Sequence, residues 1–290
     1  MFILDRKPVH VAMFSGGASS AYAAYTMVQK YGKENCILFF TNTLWEDEDN
    51  YRFMDEVAEY LGMEITERLD GRNPEEVFHD TRFLGNSRMA KCSEILKVRQ
   101  TLLFIDDELI NNRNLQPILY FGIGPHEQHR ADRLKEFYEH NCIEPIETRF
   151  PMIESYVEEE KVRDIIENQW GIKLPRMYYY EYTEGEEKGQ KIFTHANCGG
   201  RCVRGGFQHY KGLYLVWKDQ YLKQEEMEER FRKELDKNVS ILKKDGKPYT
   251  LKRYRTEILE HLDNVEVKEK YDVLKEQDND NVIPCVCTFS

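Results

Sequence analysis

Short apolar runs alternate with helix-length amphipathic spacers along the first half of this chain, and that alternation limits the folds open to it. HVAMF, residues 10–14, stops abruptly at Ser15-Gly16-Gly17, and an Ala/Tyr-rich stretch of helical character follows from 19 to 31. CILFFTNT is the second run, an acidic amphipathic helix is expected over 48–61, and MEITERLD is the third strand candidate. Parallel neighbours need crossovers of about a dozen residues, which antiparallel hairpins do not. The order strand, helix, strand, helix, strand therefore predicts a doubly wound, mostly parallel α/β sheet with helices on both faces. Residues 74–112 read as helical, PILYFGIG as another buried strand ending in glycines, and 155–170 as a further helix. MYYYEYTEGEEKGQKIFTH reads as a β-hairpin around Glu-Gly, and LKKDGKPYTLKRY as a second hairpin turned by Asp245-Gly246. Charged helices dominate from about Leu213. That shift places the expected boundary between an α/β domain over 1–215 and a mainly helical C-terminal extension over 216–290.

Composition closes off several classes. With 290 residues, 41% of them apolar, the chain has enough Leu, Ile, Val, Phe and Tyr to build a core and is not a disordered or fibrous polymer. No apolar run approaches the roughly 20 residues of a membrane helix. The start, MFILDRKPVHVAMF, lacks the basic region and long apolar stretch of a signal peptide. The expectation is a cytoplasmic protein with no membrane partner. Its 41 basic and 52 acidic side chains give a net charge of −11, which disfavours nucleic-acid binding over the whole surface. One stretch, 232–255, is locally basic, with Tyr249 and Tyr254 interleaved. It reads as a solvated hairpin and helix or, alternatively, as a contact for a nucleic-acid substrate. Oligomeric state is not legible.

The segment FSGGASS, residues 14–20, falls directly after one apolar strand and directly before a helix. Glycines allow unusual dihedrals, so successive N–H groups can point into one concavity. The following helix presents its positive end to the same place. Ser15, Ser19 and Ser20 add hydroxyls. Such a segment can cradle a phosphate or pyrophosphate, although neither GxxxxGK[ST] nor GxGxxG is present.

SGG-x-x-S after the first strand resembles the pyrophosphate loop of the PP-loop ATP pyrophosphatases, within the HUP, adenine nucleotide α-hydrolase-like group. More narrowly, the chain resembles the phosphoadenosine-phosphosulfate (PAPS) reductase branch. FFTNTLWEDEDNYRFMDEVAEYLGM resembles that branch's second strand, Asp/Asn-Thr segment and following helix. RMAKCSEILKV resembles its Cys-x-x-x-Leu-Lys element, and FGIGPHEQHRADRL its Gly-Ile-x-x-x-Glu-x-x-Arg segment. PMIESYVEEEKVRDIIENQWGIKLPRMYY resembles its late helix and Gly-Ile-x-x-Pro turn, and FTHANCGGRCVRGG its Asn-Cys-rich element. The likeness runs in order from about residue 8 to 215. Four departures stand out: Ser19 replaces a frequent Asp, no Glu-Cys-Gly-x-His motif follows, Cys92 precedes Ser93 rather than a second cysteine, and Cys198 and Cys202 are one residue further apart than Cys-x-x-Cys.

The resemblance implies that Ser15, Gly16, Gly17, Ser19 and Ser20 hold phosphates, with Phe14 and Thr41-Asn42-Thr43 flanking the adenosine. Ligands of open parallel sheets sit at the carboxyl ends of strands, and Gly122-Ile123-Gly124 closes another strand at the same edge. Lys97, Arg130 and Arg133 are candidate anion clamps, Arg being suited to bidentate phosphate or sulfate contacts. Cys92, Arg130 and Lys97 are the candidate catalytic residues. His126 and His129 share the loop with Arg130. His195 lies near Cys198 as a candidate ligand or proton donor, while His10, His79, His140, His209 and His261 show no local arrangement.

Seven cysteines without an export signal are expected to be thiols or metal ligands rather than disulfides. Cys36 and Cys142 read as structural. Cys198, Cys202, Cys285 and Cys287 form two pairs that together supply four thiolates, the ligand set of zinc or of an iron–sulfur cluster. Cys92 with Cys198 and Cys202 is the alternative set. The expected function is binding of an adenine nucleotide, with ATP cleaved to AMP and pyrophosphate, aided by Mg²⁺, to activate a substrate for sulfur transfer. A sulfur donor protein or cysteine desulfurase would be the partner. The alternatives are thiol- or cluster-dependent reduction of PAPS or adenylylsulfate to sulfite, and a non-catalytic nucleotide-binding subunit with structural zinc.

Overall fold

The computed structural model describes residues 6–86, 89–184, 187–193 and 196–279. His195, Cys285 and Cys287 lie outside the described residues. In chain order the main elements are β1 (Lys7–Met13), α1 (Ala18–Tyr31), β2 (Cys36–Asn42), α2 (Glu48–Leu61), β3 (Ile65–Leu69) and α3 (Pro74–Thr81). A helix over 91–112 (α4), β4 (Leu115–Tyr120), α5 (Gln128–His140), β5 (Glu147–Arg149) and a helix over 159–169 (α6) follow. The remainder holds α7 (Phe207–Val216), α8 (Lys218–Leu235), β6 (Leu242–Lys244), β7 (Lys247–Tyr249), α9 (Leu251–Glu257) and α10 (Val265–Asn279). Two compact units interleave along the chain. Residues 6–71 and Leu96–Arg176 form the first, and Arg72–Ile95 with 177–279 form the second. The composition shift near residue 215 falls inside the second unit, between two helices, α7 and α8, that pack together.

The first unit is a five-stranded sheet in the order β3-β2-β1-β4-β5, and every pairing in it is parallel. β1 is central, and Val9, Val11 and Ala12 are buried on both of its faces. Successive side chains of a strand point to opposite faces, and β2 shows this directly. Phe39 stacks on Phe104 of α4, with ring centroids 4.2 Å apart, while its neighbour Phe40 meets Tyr51 of α2 edge-on. Helices therefore cover both faces, as the sequence pattern requires.

Helix α2 forms where the sequence asks for it. Glu48 and Asp49 sit in its first turn, where acidic groups complement the helix dipole. Phe53, Met54, Val57, Ala58 and Leu61 bury one stripe, and Gly62 at φ +63° ends the helix. Other spans differ from expectation. The helical stretch over 74–112 is broken: α3 starts with an Asn73/Glu76 capping box and stops at Arg82, held at φ +52°. α4 begins at Lys91, and wider π-type turns run through Glu94–Val98 and Phe104–Asn112. α6 starts at residue 159 rather than 155. Gly185 of the hairpin expected around Glu-Gly lies outside the described residues, but its flanks meet: Glu181 and Lys191 form an antiparallel bridge, and the N–H groups of Tyr182 and Ile192 donate to Gln190 O and Tyr180 O at 3.0 Å each. β5 and α5 carry little sequence signal, β5 being three residues long.

The second unit contains the hairpin β6–β7, turned as expected by Asp245 and Gly246 at φ +51° and +74°. Its core is rich in tyrosines whose hydroxyls find backbone acceptors. Tyr210 donates to Cys202 O at 3.1 Å, Tyr221 to Leu251 O at 2.7 Å and Tyr254 to Phe207 O at 3.0 Å. Tyr249 and Tyr254 are fully inside, so the aromatics of the basic 232–255 stretch are core residues and not a stacking platform. Several basic groups of that stretch are engaged locally, Arg253 with Glu257 and Arg255 with Glu225 and Glu260.

A buried carboxylate ties three elements of this unit together. Glu228 of α8 accepts the Ile241 N–H at 2.7 Å and the Leu251 N–H at 2.6 Å. Burial pushes its carboxyl up to about 7 despite these two donors and nearby Arg232, with Glu229 adding to the upward push. A carboxyl raised above its unfolded value contributes stability that is intact below the unfolded pKa and lost as pH rises through the folded one. Folding stability should therefore fall by about 3 kcal/mol between pH 4.5 and 8 on account of this group alone. In Glu228→Gln that slope should be flattened, as read from urea unfolding followed by circular dichroism across the pH range. Parallel slopes in both proteins would contradict the assignment.

Candidate functional site

The chain runs β1, β2, β3 outward on one side of the sheet, then returns to place β4 against the other side of β1. The direction of strand order thus reverses between β1 and β4, and a crevice opens at such a point outside the carboxyl ends. The two segments leaving these strands are FSGG after β1 and FGIG after β4. The fold brings together, at that reversal, the two glycine-containing loops that the sequence singled out.

Two of these glycines, Gly16 and Gly122, are required by close approach. Gly16 sits at φ +79°, and a Cβ there would lie 2.6 Å from Asn50 Nδ2 and 2.8 Å from Met54 Sδ. Gly17 is the N-cap of α1 and supplies no capping side chain. Gly122 packs on the start of α1 so closely that a Cβ would lie 2.3 Å from the carbonyl carbon of Ser19 and 2.4 Å from the nitrogen of Ser20. Inside the loop, Ser20 Oγ donates to Gly17 O at 2.8 Å and accepts the Ser15 N–H at 3.2 Å. Phe14 and Ile123 are buried beneath the loops, while Ser15 is exposed and Ser19 half-buried. Ser20 therefore shapes the loop, and Ser15 and Ser19 remain on its accessible side.

At the end of β2, Thr41 is half-buried, and Asn42 and Thr43 are buried. Asn42 Oδ1 accepts the Leu44 N–H at 2.8 Å and the Tyr51 hydroxyl at 2.7 Å, and its Nδ2 donates to Glu67. Asn42 is thus a brace for the turn rather than a group directed at a ligand. The turn holds Leu44 at φ +59° with its side chain exposed, a conformation that costs a branched aliphatic residue of order 1–3 kcal/mol.

Lys97 is nearly buried, with its Nζ 3.9 Å from Glu46, whose side chain is buried and also accepts from Thr43 at 3.2 Å. A cation balanced in this way holds the turn after β2 as well as offering charge. Arg130 is buried on α5 and pairs with Glu127, whereas Arg133 lies on the exposed side of the same helix. His126 is exposed and pairs with Glu158 at 3.0 Å, and His129 is exposed. The structure therefore does not gather Lys97, Arg130 and Arg133 as a set of free cations.

In the second unit Cys198 and Cys202 are buried and pack together as thiols. Residues 198–200 run through left-handed dihedrals, φ +57°, +53° and +76°, which the two glycines after Cys198 permit. His209 bonds Gly200 O at 2.7 Å, and burial lowers its basicity. Cys92 is half-buried at the start of α4. Among the described residues no three His, Cys, Asp or Glu side chains converge as a metal would need. Among the described residues, the paired thiols Cys198 and Cys202 thus supply half of a tetrahedral set. Burial pushes the thiols of Cys36 and Cys142 up to about 11 and about 12, which disfavours the thiolate form at both.

Asn50 and Glu46 were not visible as site residues in the sequence. Asn50 had a usable signal, since it is a polar residue three and four positions before Phe53 and Met54 on the apolar stripe of α2. No family model matches the chain, and no curated protein matches it. Among the described residues no helix is long and apolar enough to cross a membrane.

The close approach at Gly122 yields a sharp expectation. Gly122→Ala should cost about 3 kcal/mol or more, because two backbones must separate. Gly171→Ala, at φ +70° but with open space around it, should cost only about 1 kcal/mol. Urea titration of both variants compares them, and equal costs would mean that the Gly122 approach is not tight in solution.

Proposed function

We propose that the first unit binds an adenine nucleotide through the SGGASS loop and is a PP-loop enzyme of the adenine nucleotide α-hydrolase-like kind, similar to the PAPS reductase branch. One observation carries this reading: a Ser/Gly loop at the β1–β4 reversal, with the backbone after β4 laid on the first turn of the helix that the loop opens. This geometry suits a polyanion, because the N–H groups of the loop and the positive end of a 14-residue helix share one place.

In the ATP form of the reaction, an oxygen of the acceptor substrate attacks the α-phosphorus. The bond from the α-phosphorus to the bridging oxygen breaks, and pyrophosphate leaves with that electron pair into the loop. A sulfur nucleophile then displaces AMP from the adenylated position. Ser15 and Ser19 donate hydrogen bonds to the departing phosphates, Ser20 keeps the loop in shape, and the backbone N–H groups stabilise developing charge without reorganisation. Mg²⁺ on a nucleotide needs only one or two carboxylates beside the phosphates. The loop carries none, with Ser19 in the relevant place, and nearby Glu46 and Asp47 pair with Lys97 and Arg176. The reading therefore assigns no protein carboxylate to the metal.

The same phosphate-binding loop suits PAPS as well, and the second reading is reduction of its sulfonyl group by a pair of thiols. One thiolate attacks the sulfur of PAPS, releasing adenosine 3′,5′-bisphosphate. The second then attacks the first cysteine's sulfur, releasing sulfite and leaving a disulfide that an external dithiol must reduce.

Calorimetric titration with ATP, PAPS and pyrophosphate tests the shared core of both readings. Wild-type protein should bind pyrophosphate and at least one of the nucleotides. Ser20→Ala should weaken all binding about tenfold, through loss of the two hydrogen bonds that shape the loop, which is about 1.4 kcal/mol. Gly16→Ala should abolish it. Release of pyrophosphate from ATP supports the first reading, and release of sulfite from PAPS the second. Binding without turnover, with sulfur donor and reductant supplied, identifies a nucleotide-binding subunit. Absence of binding to all three ligands overturns the proposal.

A further inference from the structure

Asn50 is fully buried, and neither its Nδ2 nor its Oδ1 has a hydrogen-bond partner. A buried amide left so costs on the order of 1–3 kcal/mol for each unmet group. Its position gives this cost a meaning. Asn50 lies in the first turn of α2, anchored by its own N–H on Asp47 O at 2.9 Å, and its amide occupies the space beside Gly16 that a Cβ would need. Buried Ala58, Met54 and Phe53 continue the same helix face, so an apolar residue at position 50 would fit the packing better.

A trans peptide points its N–H and its C=O in opposite directions. If the Gly16–Gly17 peptide turns its N–H outward to an anion, its C=O turns inward. An inward carbonyl in a buried setting requires a donor, and Asn50 Nδ2 is an unmet donor beside Gly16. Glycine on both sides of that peptide makes its rotation inexpensive.

We propose that Asn50 is a positioning residue for the phosphate loop: it supplies the inward hydrogen bond to the Gly16–Gly17 peptide when that peptide presents its N–H to a bound pyrophosphate group. The inference rests on the anion-binding reading of the loop. Asn50 touches the loop and not the ligand, and its unmet hydrogen-bonding capacity is used when the ligand binds. The cost of the unmet Nδ2 donor is then recovered on binding, which couples loop shape to occupancy.

The test compares wild type with Asn50→Leu, similar in size and without hydrogen-bonding groups, by thermal unfolding and by calorimetric titration with inorganic pyrophosphate and with ATP. The variant should unfold at the same or a higher temperature than wild type in the absence of ligand. It should bind both pyrophosphate and ATP at least tenfold more weakly, with a smaller ligand-induced rise in melting temperature. If Asn50→Leu does not fold, Asn50→Ala is judged by its pyrophosphate affinity, and Asn50→Ser should recover part of that affinity through its hydroxyl. Unchanged affinity in a folded variant overturns the inference while wild-type binding keeps the anion-binding reading intact. Wild-type protein that binds neither pyrophosphate nor ATP overturns both.

Discussion

The backbone of Gly122 lies against the backbone of Ser19 and Ser20, and much else in the first unit depends on that approach. It fixes the start of α1 relative to the end of β4, the two strands between which the strand order reverses. With any side chain at position 122 the helix would move outward, and the Ser15–Ser20 loop would lose its floor. The loop itself is maintained by a small number of bonds centred on Ser20. Its freedom is in the glycines and its constraint is in the neighbouring strand.

The turn after β2 is organised by different physics. Asn42 braces its backbone, Glu46 and Lys97 neutralise one another out of solvent, and Leu44 is held in a left-handed conformation. A buried ion pair is weak evidence for stability, because desolvation offsets its attraction, but it fixes geometry once formed. Polar groups that the resemblance reads as ligand contacts thus have structural duties here. Asn50 is the exception among the buried amides near the loop, since the fold leaves its donor and acceptor unmet.

The second unit is stabilised by tyrosine hydroxyls and by Glu228 bonding to backbone, not by long ladders. Its cysteines are placed by a left-handed turn that starts at Cys198 itself, φ +57°, and that the Gly-Gly after it continues at little cost. That turn brings Cys198 and Cys202 together. It does not by itself supply a third or fourth ligand among the described residues.

The sequence by itself determined the sheet class, the positions of β1 to β4, helices α1 and α2 and the Asp245-Gly246 hairpin. These follow from local periodicity, glycine punctuation and turn chemistry, which a short window records. It also marked the glycine loops, because a strand followed by Ser-Gly-Gly and a helix is a local pattern. Tertiary structure alone decided the rest. Which strands neighbour β1 is a matter of long-range pairing, and only that pairing sets Gly122 against Ser19. Whether Arg130 and Lys97 stand free depends on Glu127 and Glu46, partners chosen by packing and not by spacing. Asn50 enters the candidate site for the same reason: burial takes its amide out of solvent, and only the folded chain shows that, among the described residues, no protein group pairs with it.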